Sequence, residues 1–177
     1  MRFKKTDGEK VAMYLERFVC KEEFSEYLNI VKLADGIDAA QEAPARLVNE
    51  MRKAFAYTCS LTQEYDLCIG PWVLYALRSE SGELIGTISV TEDGHFGQWA
   101  QIEYVSIRKD FQNKGCGRFM MQEIFKEIRQ LSNFDCAVLT TVGSGKFYEK
   151  CGMSFAGTVS FNKKLRHFYV YSLKEHQ

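Results

Sequence analysis

The chain has 177 residues, 46% of them apolar, with 23 basic residues balanced by 23 acidic ones. That length and composition suit a single folded domain with a sizeable core and exclude a disordered chain. Balanced charge leaves no overall excess for sequence-independent nucleic-acid binding, and the longest clearly apolar run, Trp72 to Leu77, is far too short to span a bilayer.

In chain order, Phe3 to Lys5 reads as a short strand. Thr6-Asp7-Gly8-Glu9 has the form of a capping box, with Thr6 bonding forward and Glu9 reaching back. Val11, Tyr14, Leu15, Phe18 and Val19 then fall at helical spacing, and Phe24, Tyr27, Leu28 and Val31 continue it, as one bent helix or two. Asp35-Gly36 stops this segment. A further helix is expected from near Pro44, with Leu47, Met51, Ala54 and Phe55 on its apolar face and Glu50, Arg52 and Lys53 outside. Thr58 to Gly70 shows no period and is read as a loop lining a site.

From Pro71 the period becomes that of strands. Trp72 to Arg78, a turn at Glu80-Ser81-Gly82-Glu83, and Leu84 to Thr91 form an antiparallel hairpin. Asp93-Gly94 turns the chain again, and Trp99 to Arg108 is a third long strand. Along it Ile102 and Tyr104 share one parity, whereas Val105 and Ile107 fall on the other. A β-bulge produces such a slip, and so does a strand buried on both faces. After the loop at Gln112 comes a helix with Cys116, Phe119, Met120, Ile124, Phe125, Ile128 and Leu131 inward. Phe134 to Thr140 suits a buried strand parallel to the previous one. A short helix, Ser144 to Lys150, ends at Gly152. Strands at Met153 to Phe161 and His167 to Leu173 close the chain, joined by a basic, exposed connection, Asn162 to Arg166.

The stretch Gln112-Asn113-Lys114-Gly115-Cys116-Gly117-Arg118 carries the functional signal. Glycines let a backbone approach a ligand closely, and the first N–H groups of a helix point outward unpaired, at the positive end of its dipole. Strand, glycine loop and helix start together suit a phosphate or pyrophosphate. The dinucleotide fingerprint fails because its third glycine would be Met120. The nucleotide-triphosphate loop is only echoed at Gly143-Ser144-Gly145-Lys146, with Thr140 in place of the leading glycine and Phe147 in place of Ser or Thr. Gln/Arg-x-x-Gly-x-Gly/Ala is met by Gln112, Gly115 and Gly117.

This loop resembles the coenzyme A pyrophosphate loop of the GNAT superfamily of N-acetyltransferases. Ile102-Glu103-Tyr104-Val105-Ser106-Ile107 and Lys146-Phe147-Tyr148-Glu149-Lys150-Cys151-Gly152-Met153 extend the resemblance, in order and at the right spacing, from about Trp72 to the end. It implies a mixed α/β fold with a mostly antiparallel central sheet flanked by helices, in one domain over residues 1–177. The helical, acceptor-side part would be about residues 6–57 and the coenzyme A-binding core about 71–177. In this fold the strand at Ile102 to Ile107 bulges and splays from its neighbour, which favours the bulge reading above.

The resemblance further implies transfer of an acetyl group from acetyl-CoA directly to a primary amine of a small-molecule or peptide acceptor. Backbone N–H groups of Asn113, Lys114, Gly115, Cys116, Gly117 and Arg118 would hold the pyrophosphate, with Gln112 beginning the loop. Val105, Ser106 and Ile107 would supply the strand along which the pantetheine arm adds. Glu103 is the candidate base, directly or through a water that Gln101 could position; the plainer reading is a polar residue on a half-exposed strand. Tyr148 is the candidate acid for the departing thiolate; the plainer reading is a core tyrosine. The family often has Asn seven residues before this tyrosine, where this chain has Thr141. A non-catalytic acyl-CoA-binding or regulatory domain on the same fold is the alternative. No metal, nucleic-acid or membrane partner is expected, and a homodimer is implied by resemblance alone.

Six cysteines (Cys20, Cys59, Cys68, Cys116, Cys136, Cys151) form no Cys-x-x-Cys pair and have no histidine at zinc spacing. They read as free thiols in a reducing compartment. No apolar stretch follows the basic start, so a cytoplasmic protein is expected. Cys116 and Cys151, with no histidine nearby in sequence, are assigned to packing, and His95, His167 and His176 to surface or strand positions.

Overall fold

The computed structural model describes residues 2–4, 10–34, 45–60, 73–93, 99–130, 134–161 and 164–174. Two strands, β1 (Arg2–Lys4) and β2 (Lys10–Arg17), precede two helices, α1 (Phe24–Ala34) and α2 (Ala45–Ser60). Then come β3 (Val73–Ser79), β4 (Leu84–Asp93), β5 (Trp99–Ile107), α3 (Cys116–Gln130), β6 (Cys136–Thr141), α4 (Gly145–Lys150), β7 (Ser154–Phe161) and β8 (Lys164–Ser172). The strands form one sheet in the order β1-β2-β3-β4-β5-β6-β8-β7. Every pairing is antiparallel except β5 with β6. This is the expected mixed α/β class.

The sheet separates two cores. On one face α3 packs Phe119, Met120, Ile124, Phe125 and Ile128 into one cluster with Val73, Tyr75, Ile88 and Ile102. On the other, α1 and α2 bring Tyr27, Ile30, Met51 and Phe55 to Leu74, Ala76 and Leu84. Successive residues of β3 alternate between these clusters, so a strand buried on both sides reads as one apolar run.

Residues 11–17, expected to be helical, are a strand. Met13 is buried and Leu15 packs partly buried on the α3-side core, while Tyr14 between them is 40% exposed. Pairing from Met13↔Ser79 to Arg17↔Tyr75 supplies the backbone bonds. Local spacing carries no information about such a distant partner, so tertiary pairing overrides it. Phe18 leaves the strand fully buried in the second core, its ring 5.7 Å from Tyr27 and 4.8 Å from Phe55. The part assigned to helices therefore opens with a strand. Its two real helices cover one face of β3, β4 and β5, α2 over β3 and α1 over β4 and β5.

Strand β8 starts at Lys164, so Leu165 and Arg166 belong to it and not to an exposed connection. Helix α2 runs to Ser60, and the Thr58 hydroxyl donates to the Ala54 carbonyl, so Thr58 to Ser60 are helical and not part of the expected loop. The rest of that loop, residues 61–70, the capping box, the Asp35-Gly36 stop, the helix start at Pro44, and Trp72, Gly94, His95, Leu131 and His176 lie outside the described residues.

Candidate active site

The site is created by an irregularity in β5. Thr87 pairs with Ser106 and Ser89 with Glu103, so β5 spends one residue more than β4 over the same span. Tyr104 absorbs it with φ +49°, a left-handed conformation that costs a non-glycine residue about 1–2 kcal/mol. The Ser89 hydroxyl donates to the Glu103 carbonyl at 2.9 Å, satisfying backbone at the bulge. The extra residue keeps Ile102, Val105 and Ile107 on the α3-side core, which accounts for the parity slip in the sequence.

Beyond the bulge, β5 and β6 part. Their parallel pairing runs only from Trp99↔Cys136 to Gln101↔Val138. Two cavities open into the resulting wedge. One, about 730 Å³, lies between the α3 start and α4 and is lined by Val105, Ile107, Gly117, Arg118, Lys146 and Lys150 among others. The other, about 560 Å³, lies between β5 and β6 and includes Gln101, Glu103, Thr140 and Arg166. Val105, Ser144 and Tyr148 line both. A residue that faces two connected chambers can act on a bond placed between them.

The chain enters α3 through a turn at 112–115 in which Asn113 (φ +58°) and Gly115 (φ +84°) are left-handed. The Gln112 amide donates to the Ile107 carbonyl at 2.9 Å, tying the turn back to β5. The Phe119 N–H donates to the Gly115 carbonyl, starting the helical ladder. The N-terminal end of this 15-residue helix, with the positive end of its dipole, borders the first cavity at Gly117 and Arg118. Gly117 serves packing too, since a Cβ there would lie 3.1 Å from the Phe147 ring.

In the second cavity the Gln101 amide donates to a Glu103 carboxylate oxygen at 2.6 Å. Both side chains are half-buried, on the sheet face covered by α1. Tyr148, 8% exposed, is held from behind by the rings of Phe147 and Tyr169, at 5.0 and 6.1 Å. The turn before its helix is shaped by Thr141, whose hydroxyl accepts the Ser144 N–H at 3.3 Å. Burial raises the Cys116 thiol and pushes the Cys151 thiol up to about 11. Neither is a thiolate nucleophile at neutral pH.

The sequence profile of the Acetyltransferase (GNAT) family matches residues 41–153, a span that contains both cavities' principal walls. The chain belongs to the GNAT acetyltransferase family. Among curated proteins, the uncharacterized protein YdhI of Bacillus subtilis (strain 168) is 32% identical over 85 residues, 46% of this chain and 50% of that protein. The match thus spans half the length of that relative. Among solved structures, this GNAT acetyltransferase is similar to a variant of the spermidine N-acetyltransferase SpeG from Vibrio cholerae, with a TM-score of 0.69 at 12% identity over 92% of this chain and 95% of that one. It is also similar to an acetyltransferase of the GNAT family from Streptococcus pneumoniae, with a TM-score of 0.66 at 12% identity over 91% and 99% of the two chains. At such identities the likeness is one of fold.

In this GNAT acetyltransferase the expected site residues fall into two groups. Val105, Ile107, Gln112, Asn113, Gly115, Gly117, Arg118 and Tyr148 line the first cavity, and Glu103 and Tyr148 share the second. Three side chains stand apart. Ser106 is buried opposite Thr87, Cys116 is buried in the core, and the Lys114 ammonium lies 5.9 Å over the Phe111 ring. Sequence reasoning missed Lys146, Lys150 and Arg166 as lining residues. The two lysines sit four apart on α4, a spacing that places both on one helix face and could have been read from the sequence.

Proposed function

We propose that the chain is an N-acetyltransferase that moves the acetyl group of acetyl-CoA directly to a primary amine of a small-molecule or peptide acceptor. The observation that carries this reading is the meeting of the two cavities at Val105 and Tyr148, at the point where β5 and β6 part.

The residues present fit coenzyme A. The turn at 112–115 and the N–H groups of Asn113 to Arg118 suit the pyrophosphate, and Arg118, Lys146 and Lys150 add positive charge around them. The parted edge of β5 at Val105 leaves room for an extended arm to lie along the strand. When bound, acetyl-CoA supplies an activated thioester. The protein's residues do the rest. A primary amine has a pKa near ~10 and arrives protonated, so the Glu103 carboxylate, oriented by Gln101, takes its proton directly or through water. The Tyr148 hydroxyl, at the junction of the cavities, donates a proton to the leaving sulfur. Backbone N–H at the bulge would polarise the carbonyl, as an oxyanion donor does.

The test is a calorimetric titration of the protein with acetyl-CoA, followed by thiol release with an amine panel that includes spermidine, in view of the name of one structural relative. Lys146→Ala/Lys150→Ala is a cleaner control than a Gly117 substitution, which would also press on Phe147. Expected are micromolar binding, weakened about tenfold or more in the lysine variant, and turnover of at least one amine. Tyr148→Phe is expected to lower kcat by about 10²- to 10⁴-fold with donor affinity intact. Absence of donor binding by folded protein overturns the reading. Binding without turnover of any amine marks a non-catalytic acyl-CoA-binding domain.

A further inference from the structure

Among the described residues, the β5–β6 cleft is not lined by acids alone. Its described lining contains one carboxylate, Glu103, and one guanidinium, Arg166, among neutral Gln101, Thr140 and Thr141. The register shows that the two charges face the same space. Gln101 is level with Val138, Thr140 pairs with Phe168, and His167 pairs with Thr141, so Arg166 lies just past the end of β6. Counted by alternation, Trp99, Gln101 and Glu103 on β5 share a face with Phe168 and Arg166 on β8. The rings of Trp99 and Phe168, 6.2 Å apart, floor that face. His167, on the opposite parity, turns instead to Phe155, 5.7 Å away. By the register, Glu103 and Arg166 stand two strand spacings apart across the sheet and two residues apart along it, and the parting of β5 from β6 widens this further, so their backbones are more than ~10 Å apart, a gap that an acceptor reaching both side chains would span.

A polycationic amine gains from several carboxylates and is opposed by a guanidinium, since like charges in a partly desolvated cleft repel. An amine that also bears an anion is complementary to both charges, with its ammonium at Glu103 and its anion at Arg166. The guanidinium fork offers five N–H donors, so an intramolecular contact leaves donors to engage a carboxylate or phosphate in two-point fashion. We infer that the acceptor is an amine carrying a carboxylate or phosphate, and that Arg166 is the residue that selects it. This inference rests on the catalytic reading above for the role of Glu103, and it names the acceptor class that reading leaves open.

The experiment uses matched pairs: an amino acid against its amide, and an aminoalkyl phosphate against the corresponding amino alcohol, with spermidine as the polycation. Each is titrated calorimetrically into the full chain saturated with coenzyme A, and each is assayed for thiol release with acetyl-CoA. Wild type, Arg166→Gln and Arg166→Lys are compared. The expected result is about 10- to 100-fold tighter binding of one anion-bearing member over its neutral partner. Arg166→Gln should abolish that preference through KM and not kcat, leaving the neutral partner and coenzyme A unaffected, and Arg166→Lys should restore part of it. Which pair responds distinguishes carboxylate from phosphate. Equal or better binding of spermidine or of the neutral partners overturns the inference. So does a loss in Arg166→Gln that is the same for every amine, or binding of no anion-bearing amine at all. Turnover failing while the binding preference holds would sink the catalytic reading and leave this one standing.

Discussion

Gly145 begins α4, the helix that carries Tyr148, and it is needed for space, since its φ is not positive. A Cβ at this position would lie 2.2 Å from the Tyr169 Oη and 3.1 Å from Cζ. Carbon and oxygen normally approach no closer than ~3.3 Å, so in Gly145→Ala either the ring or the helix must shift by about 1 Å. The ring is confined by Tyr148 and Phe155 at 6.1 and 5.7 Å, so the helix takes part of the displacement. Overpacking of this kind costs about 1–3 kcal/mol, offset by up to ~1 kcal/mol from the better helix former. A helix moved by that much carries Tyr148 off its mark, and kcat should fall about 100-fold. Tyr169→Phe removes the offending oxygen at the expense of its hydrogen bond to Glu149, 3.3 Å long, worth about 0.5–1 kcal/mol. The double variant then keeps only the milder contact to Cζ. Urea denaturation of all four proteins should give a favourable coupling of about 1–2 kcal/mol, with kcat recovering to within about tenfold of wild type. Strict additivity, or a Gly145→Ala enzyme as active as wild type, refutes the argument that this close approach positions the tyrosine.

Glu103→Gln is expected to lower kcat/KM by about 100-fold at pH 7, with the deficit narrowing as pH rises toward the amine's own pKa; a factor that is the same at pH 7 and pH 9.5 would deny it the role of base. Arg78 is buried, pairs with Glu16 and Glu23 and lies 5.8 Å over the Phe18 ring, tying β3 to β2 and to the turn before α1. Arg78→Met should cost about 2 kcal/mol in urea unfolding, less than a fully buried pair would because Glu16 is 41% exposed, and it should leave donor affinity unchanged. The Cys151 thiol, raised by burial from 9.0 to about 11, favours the protonated folded state. Its stabilising contribution is full below pH 9 and is lost as pH rises through about 11, because the unfolded chain releases the proton first. Stability measured against pH should therefore fall across that window, and less steeply in Cys151→Ala; equal slopes would count against the assignment.

Much of the architecture was legible because its signals are local. The glycine loop, the apolar face of α3 from Phe119 to Ile128 and the Val73–Asp93 hairpin each follow from spacing and turn chemistry within a few residues. The parity slip at Val105 was visible as well, but a bulge and a doubly buried strand write the same string, and only pairing with β4 separates them. Residues 11–17 went the other way, because a strand's identity lies in its distant partner, here β3, and no helical or strand period encodes a partner. The proposed carriers of the chemistry, Glu103 and Tyr148, were named from motifs that resemble those of the family. That they face one wedge is a property of β5 and β6 parting after Gln101. Arg166 is the clearest case: in sequence it belongs to a basic stretch that reads as solvated, and only the register of β8 against β6 places it in the lining of the cavity that Glu103 also lines. Sequence by itself determined which chemical groups this protein possesses and the local elements that hold them. Which groups share a cavity was decided by tertiary pairing, because proximity across a sheet depends on register between strands far apart in the chain.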